Sequence, residues 1–122
     1  MDALPAILLV DNEDLLRRAM LRLLQTETYD LMGVASAQEA LDTAAELGVR
    51  LKVLLVDWNL NGSARGLVEE AHRKYPWVRI MILTGAPELV GEVDDVDRIL
   101  EKPFDTSLLI KLLRALVSVN PD

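Results

Sequence analysis

The amino-acid sequence predicts a doubly wound α/β domain: a five-stranded parallel sheet with helices on both faces. Short β-rich runs alternate along the chain with segments of helical period. The first, third and fourth runs are almost continuously apolar rather than alternating, the mark of strands covered on both sides. Parallel neighbours joined by right-handed crossovers put helices on both faces. A length of 122 residues suits one such domain with a proper core.

The first strand is expected over Ala6–Val10 and runs into the acidic turn "DNED". Asn12 reads there as the N-cap of the first helix, in which Arg17, Arg18 and Arg22 lie opposite Leu16, Met20 and Leu23. A second strand, Asp30–Val34, precedes a helix that opens with "SAQE", where Ser36 and Glu39 have capping-box spacing. That helix closes at Gly48, suited to a left-handed C-cap. The third strand, Lys52–Val56, runs into Asp57, and "NGSARG" reads as a loop with Asn-Gly turn chemistry. The third helix ends before Pro76, which cannot continue it. The fourth strand covers Val78–Leu83 and the fifth Arg98–Leu100. Between them Pro87, Gly91 and the acidic string "EVDDVD" leave room for a short or irregular helix over Pro87–Glu92, with the acids in a solvated loop. The last helix runs from about Thr106 to Val117 behind Asp105 as N-cap, with Leu108, Leu109, Leu112, Leu113 and Leu116 on one face.

Composition narrows the functions. Hydrophobic residues make up 51% of the chain, yet no apolar run approaches the roughly 20 residues that span a bilayer. The start "MDALPAILLV" lacks the basic region and cleavage site of a secretory signal. The absence of cysteine excludes disulfides and thiolate metal sites and suits a reducing cytoplasm. The single His72, in a polar string, reads as a solvent-facing side chain and makes a histidine zinc site improbable. A formal charge of −7 disfavours nucleic acid and anionic membrane as direct partners. Residues 1–122 read as one domain, any effector domain being absent or removed.

In a parallel sheet all carboxyl ends share one edge, where ligands bind at the switch in strand order. Asp11 and Asp57 end the first and third strands, Thr84 ends the fourth, and Lys102 follows the fifth. Clustered carboxylates call for a hard cation, and oxygen-only ligation points to Mg²⁺, held by Asp11, Asp57 and the backbone carbonyl of Asn59. Lys102 and Thr84 can donate to phosphoryl oxygens. This set suits phosphoryl transfer onto a carboxylate. Asp57 is the better nucleophile, because Asp11 lies in a turn suited to a metal.

The motifs "LLVDNED", "LLVDWN", "ILTG" and "EKPF", in this order and spacing, resemble the receiver domain of two-component response regulators over essentially the whole chain. The resemblance implies the flavodoxin-like strand order 2-1-3-4-5 seen in chemotaxis-regulator-like folds. It implies Asp57 as phosphoacceptor, Asp11 as Mg²⁺ ligand, Thr84 as switch hydroxyl and Lys102 as phosphoryl partner. It also implies a sensor histidine kinase or a phosphotransfer protein as donor, and an effector domain or a homodimer as output. Such a domain catalyses its own phosphorylation and dephosphorylation but converts no external metabolite.

Several positions depart from the pattern. Asn12 stands where a second acid is usual, weakening attraction for a cation about 4 Å away by roughly 1–4 kcal/mol; Glu13 and Asp14 are candidates to compensate. Ile99 replaces the usual Tyr or Phe, Gly85 the usual Ala after the threonine, and Asn61 a usual proline. The span from Thr84 to Lys102 is about one helical turn short. An alternative follows: a degenerate receiver acting as a phosphorylation-independent interaction module. A Mg²⁺-dependent phosphatase fits less well, because Asn59 stands where its general acid belongs.

Overall fold

A computed structural model describes residues 3–91, 93 and 96–118. The elements follow in the order β1 (Ala6–Val10), α1 (Asp14–Leu24), β2 (Asp30–Val34), α2 (Ala37–Leu47), β3 (Leu51–Asp57), α3 (Ala64–Lys74), β4 (Arg79–Thr84), β5 (Arg98–Glu101) and α4 (Thr106–Ser118). Single 3-10 turns at Gly48–Arg50 and Pro87–Leu89 complete the set. The five strands form one sheet in the order β2-β1-β3-β4-β5, and every pairing is parallel. The expected fold class and strand order are both found.

The continuous apolar runs divide by the period of two into opposite faces. Leu8, Val10, Leu54, Val56 and Ile80 face α2 and α3, meeting Ala40, Ala44, Leu67, Val68 and Ala71. Ile7, Leu9, Val53, Leu55, Met81 and Leu83 face α1 and α4, meeting Met20, Leu24, Leu109 and Leu113. Alanines on α2 and α3 let those helices approach the sheet closely. Each fully buried Leu, Ile or Val contributes on the order of 1.5–3 kcal/mol relative to exposure.

Local chemistry sets the ends. Ser36 Oγ accepts from the Glu39 amide at 3.1 Å, and Glu39 Oε2 accepts in return from the Ala35 amide at 2.9 Å. Gly48 ends α2 at φ 55°, and Asn61 and Gly62 turn the loop after β3 at φ 52° and 83°. Asp105 Oδ1 caps α4 through the Ser107 amide at 2.8 Å.

Several expectations need correction. The inward face of α1 carries Met20 and Leu24 with Arg17 beside them, while Leu16 and Leu23 are exposed. Glu13, not Asn12, occupies the cap position of α1. On α4, Leu109 and Leu113 are buried but Leu108 is exposed. The segment after β4 is a single turn, Pro87–Leu89; Glu92, Asp94 and Asp95 lie outside the described residues. Asp97, assigned to a solvated loop, instead ties the start of β4, its Oδ2 accepting from the Ile80 amide at 2.7 Å and its Oδ1 from Arg79 at 3.1 Å.

Candidate functional site

The register decides which strand ends meet. Val10 pairs with Val56 across β1 and β3, so Asp11 and Asp57 leave adjacent strands side by side. Asp57 pairs with Leu83 and Thr84 with Glu101, so the next two ends continue the same edge. Backbone bonds lock it: Asp11 donates to Val34 O at 3.1 Å, Trp58 to Leu83 O at 2.9 Å and Lys102 to Thr84 O at 2.8 Å.

Asp57, only 3% exposed, is held at both oxygens. Oδ2 accepts from Lys102 Nζ at 2.7 Å, and Oδ1 from the Asn59 amide at 2.9 Å. Thr84 is nearly as buried, and its Oγ1 accepts from the Ala86 amide at 3.1 Å, leaving its own proton to donate. Lys102 is followed by a cis peptide to Pro103. An open cavity of about 450 Å³ is lined by Asp57, Asn59, Thr84 and Lys102 among polar residues and by Trp58, Ala86 and Leu89 on its apolar side.

Asp11 has a different environment. It is fully buried, with Oδ1 accepting from the Glu13 amide at 2.9 Å. Oδ2 is the one side-chain polar atom among the described residues that is buried without a hydrogen-bond partner. Burial pushes the Asp11 carboxyl above its ordinary range; the Glu13 amide opposes the rise, the charge of Asp57 adds to it, and Lys102 opposes it. An orphaned carboxylate oxygen beside a second carboxylate is the donor chemistry of a hard cation. Among the described residues no group of three or more acids, histidines or cysteines is placed to hold a metal. Mg²⁺ is ordinarily held by one or two carboxylates with its remaining positions left to water and phosphate oxygens, a demand that the Asp11 and Asp57 carboxylates fit.

A family model of the response regulator receiver domain matches residues 7–114. The chain belongs to this family. A putative response regulator, NtrX-like, from Rickettsia bellii is 27% identical over 93% of the chain, which spans only 25% of that protein's length. Among solved structures, the signal receiver domain of an HD domain-containing protein from Pseudomonas fluorescens Pf-5 matches with a TM-score of 0.83 and 26% identity, covering 96% of this chain and 89% of that one. Chemotaxis protein CheY4 of Vibrio cholerae matches at 0.76 and 26% identity, covering 93% and 99%. In this receiver domain the four motifs singled out in the sequence end on one edge of the sheet, and no helix among the described residues is long and apolar enough to cross a membrane.

All five residues singled out in the sequence lie at this edge. Lys102 touches Asp57, Asn59 bonds to it through its amide, and Thr84 shares the cavity wall. Asp11 sits beside them but below the cavity surface. Asp14, a candidate to compensate for Asn12, has its carboxylate 72% exposed and paired with Arg17 at 2.7 Å. Leu89 and Ala86 as apolar walls were missed, as was Arg65, whose guanidinium lies 5.7 Å from the Trp58 ring centroid. Only the spacing of "WNLNGSAR" hinted at that stacking.

Proposed function

We propose that residues 1–122 form one cytoplasmic receiver domain that accepts a phosphoryl group on Asp57, with Mg²⁺, and thereby switches its protein contacts. The observation that carries this reading is the 2.7 Å contact between Lys102 Nζ and a nine-tenths buried Asp57 at a strand end. A carboxylate there has no packing role and is positioned by an ammonium on one oxygen and an amide N–H on the other.

In the proposed reaction an Asp57 oxygen attacks the phosphorus of a phosphohistidine on a sensor kinase or phosphotransfer protein. The P–N bond breaks, its electron pair stays with the imidazole, and an acyl phosphate forms on Asp57. Hydrolysis by water returns the carboxylate and inorganic phosphate. Lys102 moves from the carboxylate to the phosphoryl oxygens, and the Thr84 hydroxyl donates its free proton to another. Asp11, Asp57 and the Asn59 carbonyl would hold Mg²⁺, which neutralises charge on the transferring group. No external metabolite is converted, and nucleic acid and membrane are not contacted by this domain.

A second reading, a phosphorylation-independent interaction module, is favoured by the single turn Pro87–Leu89 and by Ile99, 39% exposed where an aromatic is usual. Incubation with acetyl phosphate and Mg²⁺ followed by intact-mass measurement separates the two. The first reading expects a gain of one phosphoryl group that is lost in Asp57→Asn. No gain in the wild type would leave only the second.

A further inference from the structure

Arg17 is charged, yet it lies on the inward face of α1, three, four and seven residues before Met20, Leu21 and Leu24. Its side chain is only 16% exposed. Nη1 donates to the backbone carbonyl of Asp11 at 2.8 Å, and Nη2 to Asp14 Oδ1 at 2.7 Å. The stem crosses β2 where that strand has no side chain: a Cβ on Gly33 would stand 3.1 and 3.2 Å from Arg17 Cγ and Cδ, and 2.9 Å from Leu21 Cδ1. Gly33 has ordinary backbone geometry, so its lack of a side chain serves this crossing.

The Asp11 peptide is thus fixed from three directions. Its amide is held by Val34 O, its Oδ1 by the Glu13 amide and its carbonyl by Arg17. The one atom left over is Oδ2, buried and unpartnered. We infer that Arg17 is a positioning residue for the cation site: by clamping the Asp11 carbonyl it aims Oδ2 at the place shared with Asp57. Gly33 is the second part of the device, because it provides the channel through which the arginine reaches the turn. This inference rests on the reading of Asp11 as a Mg²⁺ ligand. Removing an outer-shell partner of a metal ligand weakens binding by about 10–100-fold in general. The lower end is expected here, since two other bonds still hold the turn.

The test is Mg²⁺ titration of the unphosphorylated protein, followed by calorimetry and by tryptophan fluorescence. Arg17→Ala is expected to raise the Mg²⁺ midpoint about tenfold, with the phosphorylation rate at saturating Mg²⁺ within about twofold of wild type. Arg17→Lys, whose ammonium reaches the carbonyl but forms no fork, falls between. Gly33→Ala, which retains the arginine but obstructs its stem, shifts the midpoint in the same direction. Asp14→Asn keeps the carbonyl contact and leaves the midpoint unchanged; Arg17→Ala in that background still shifts it, so a freed Asp14 is not the cause. A wild type that binds Mg²⁺ while all Arg17 and Gly33 variants share its midpoint overturns the positioning role. A fall only in the saturated rate or in folding also overturns it, leaving Arg17 as a packing residue. A wild type without Mg²⁺ binding overturns the metal reading itself.

Discussion

Replacing Asp11 by asparagine is expected to stabilise the metal-free domain. The wild-type carboxylate is fully buried, one oxygen bonded to the Glu13 amide and the other without a partner. A buried acceptor left unsatisfied costs about 1–3 kcal/mol. Asp57 adds repulsion: two charges about 5 Å apart, the spacing of adjacent strands, repel by about 3 kcal/mol at an effective dielectric of about 20. Lys102 offsets most of that. Asparagine keeps the shape and the bond from Glu13, although its new amide N–H returns about 1 kcal/mol of cost. The net expectation is a gain of about 1–2 kcal/mol, roughly 4–8 °C in Tm for a domain of this size. Burial raises the folded-state Asp11 pKa above its ordinary value of 3.8. The linked stability is therefore fully present below that pH and is lost as pH rises through the folded value. The gap between variant and wild type opens from acid toward neutral pH. Mg²⁺ closes it, because a ligand at tenfold its Kd adds about 1.4 kcal/mol to the wild type alone. Circular-dichroism melts in EDTA across pH, then with added Mg²⁺, measure both effects. An Asp11→Asn protein that melts at or below wild type in EDTA at neutral pH would refute the reasoning.

Two further outcomes follow from the same geometry. Lys102→Met leaves the buried Asp57 carboxylate without its 2.7 Å partner and is expected to lower stability by about 1–3 kcal/mol in chemical denaturation; pairing it with Asp57→Asn restores most of the loss. Gly85→Ala adds a Cβ that meets nothing within 4 Å, so a Tm within about 2 °C of wild type is expected, and a larger drop would mean the loop after Thr84 needs glycine.

The three central strands β1, β3 and β4 were legible because burial on both faces leaves an almost unbroken apolar run, and this depends only on composition along the chain. Ser36, Gly48 and Asp105 were legible for a similar reason, each satisfying backbone groups within a few residues of itself. The four strand ends were legible as positions, since parallel strands must deliver their carboxyl ends to one edge. Helix faces were less so. The sequence of α1 carries Leu15, Leu16, Met20, Leu21, Leu23 and Leu24 over a broad apolar arc opposite Arg18 and Arg22, so the period marks a side but not which residues of that arc are buried. The gap at Gly33 and the acceptor at Asp11 O turn Arg17 inward and leave Leu16 and Leu23 outside. Asp97 was misread likewise, because its partners at Arg79 and Ile80 are eighteen and seventeen residues away.

Which side chains belong to the edge is thus written along the chain, in local preferences that need no partner. Which atoms are satisfied there depends on strand register and on residues from β2 and α1 that no short window contains. The amide on Asp57 Oδ1 comes from two residues along the chain, but the ammonium on its Oδ2, from forty-five residues away, and the buried, solitary Oδ2 of Asp11 exist only once the sheet has closed, since such contacts are decided by distance in space and not along the sequence.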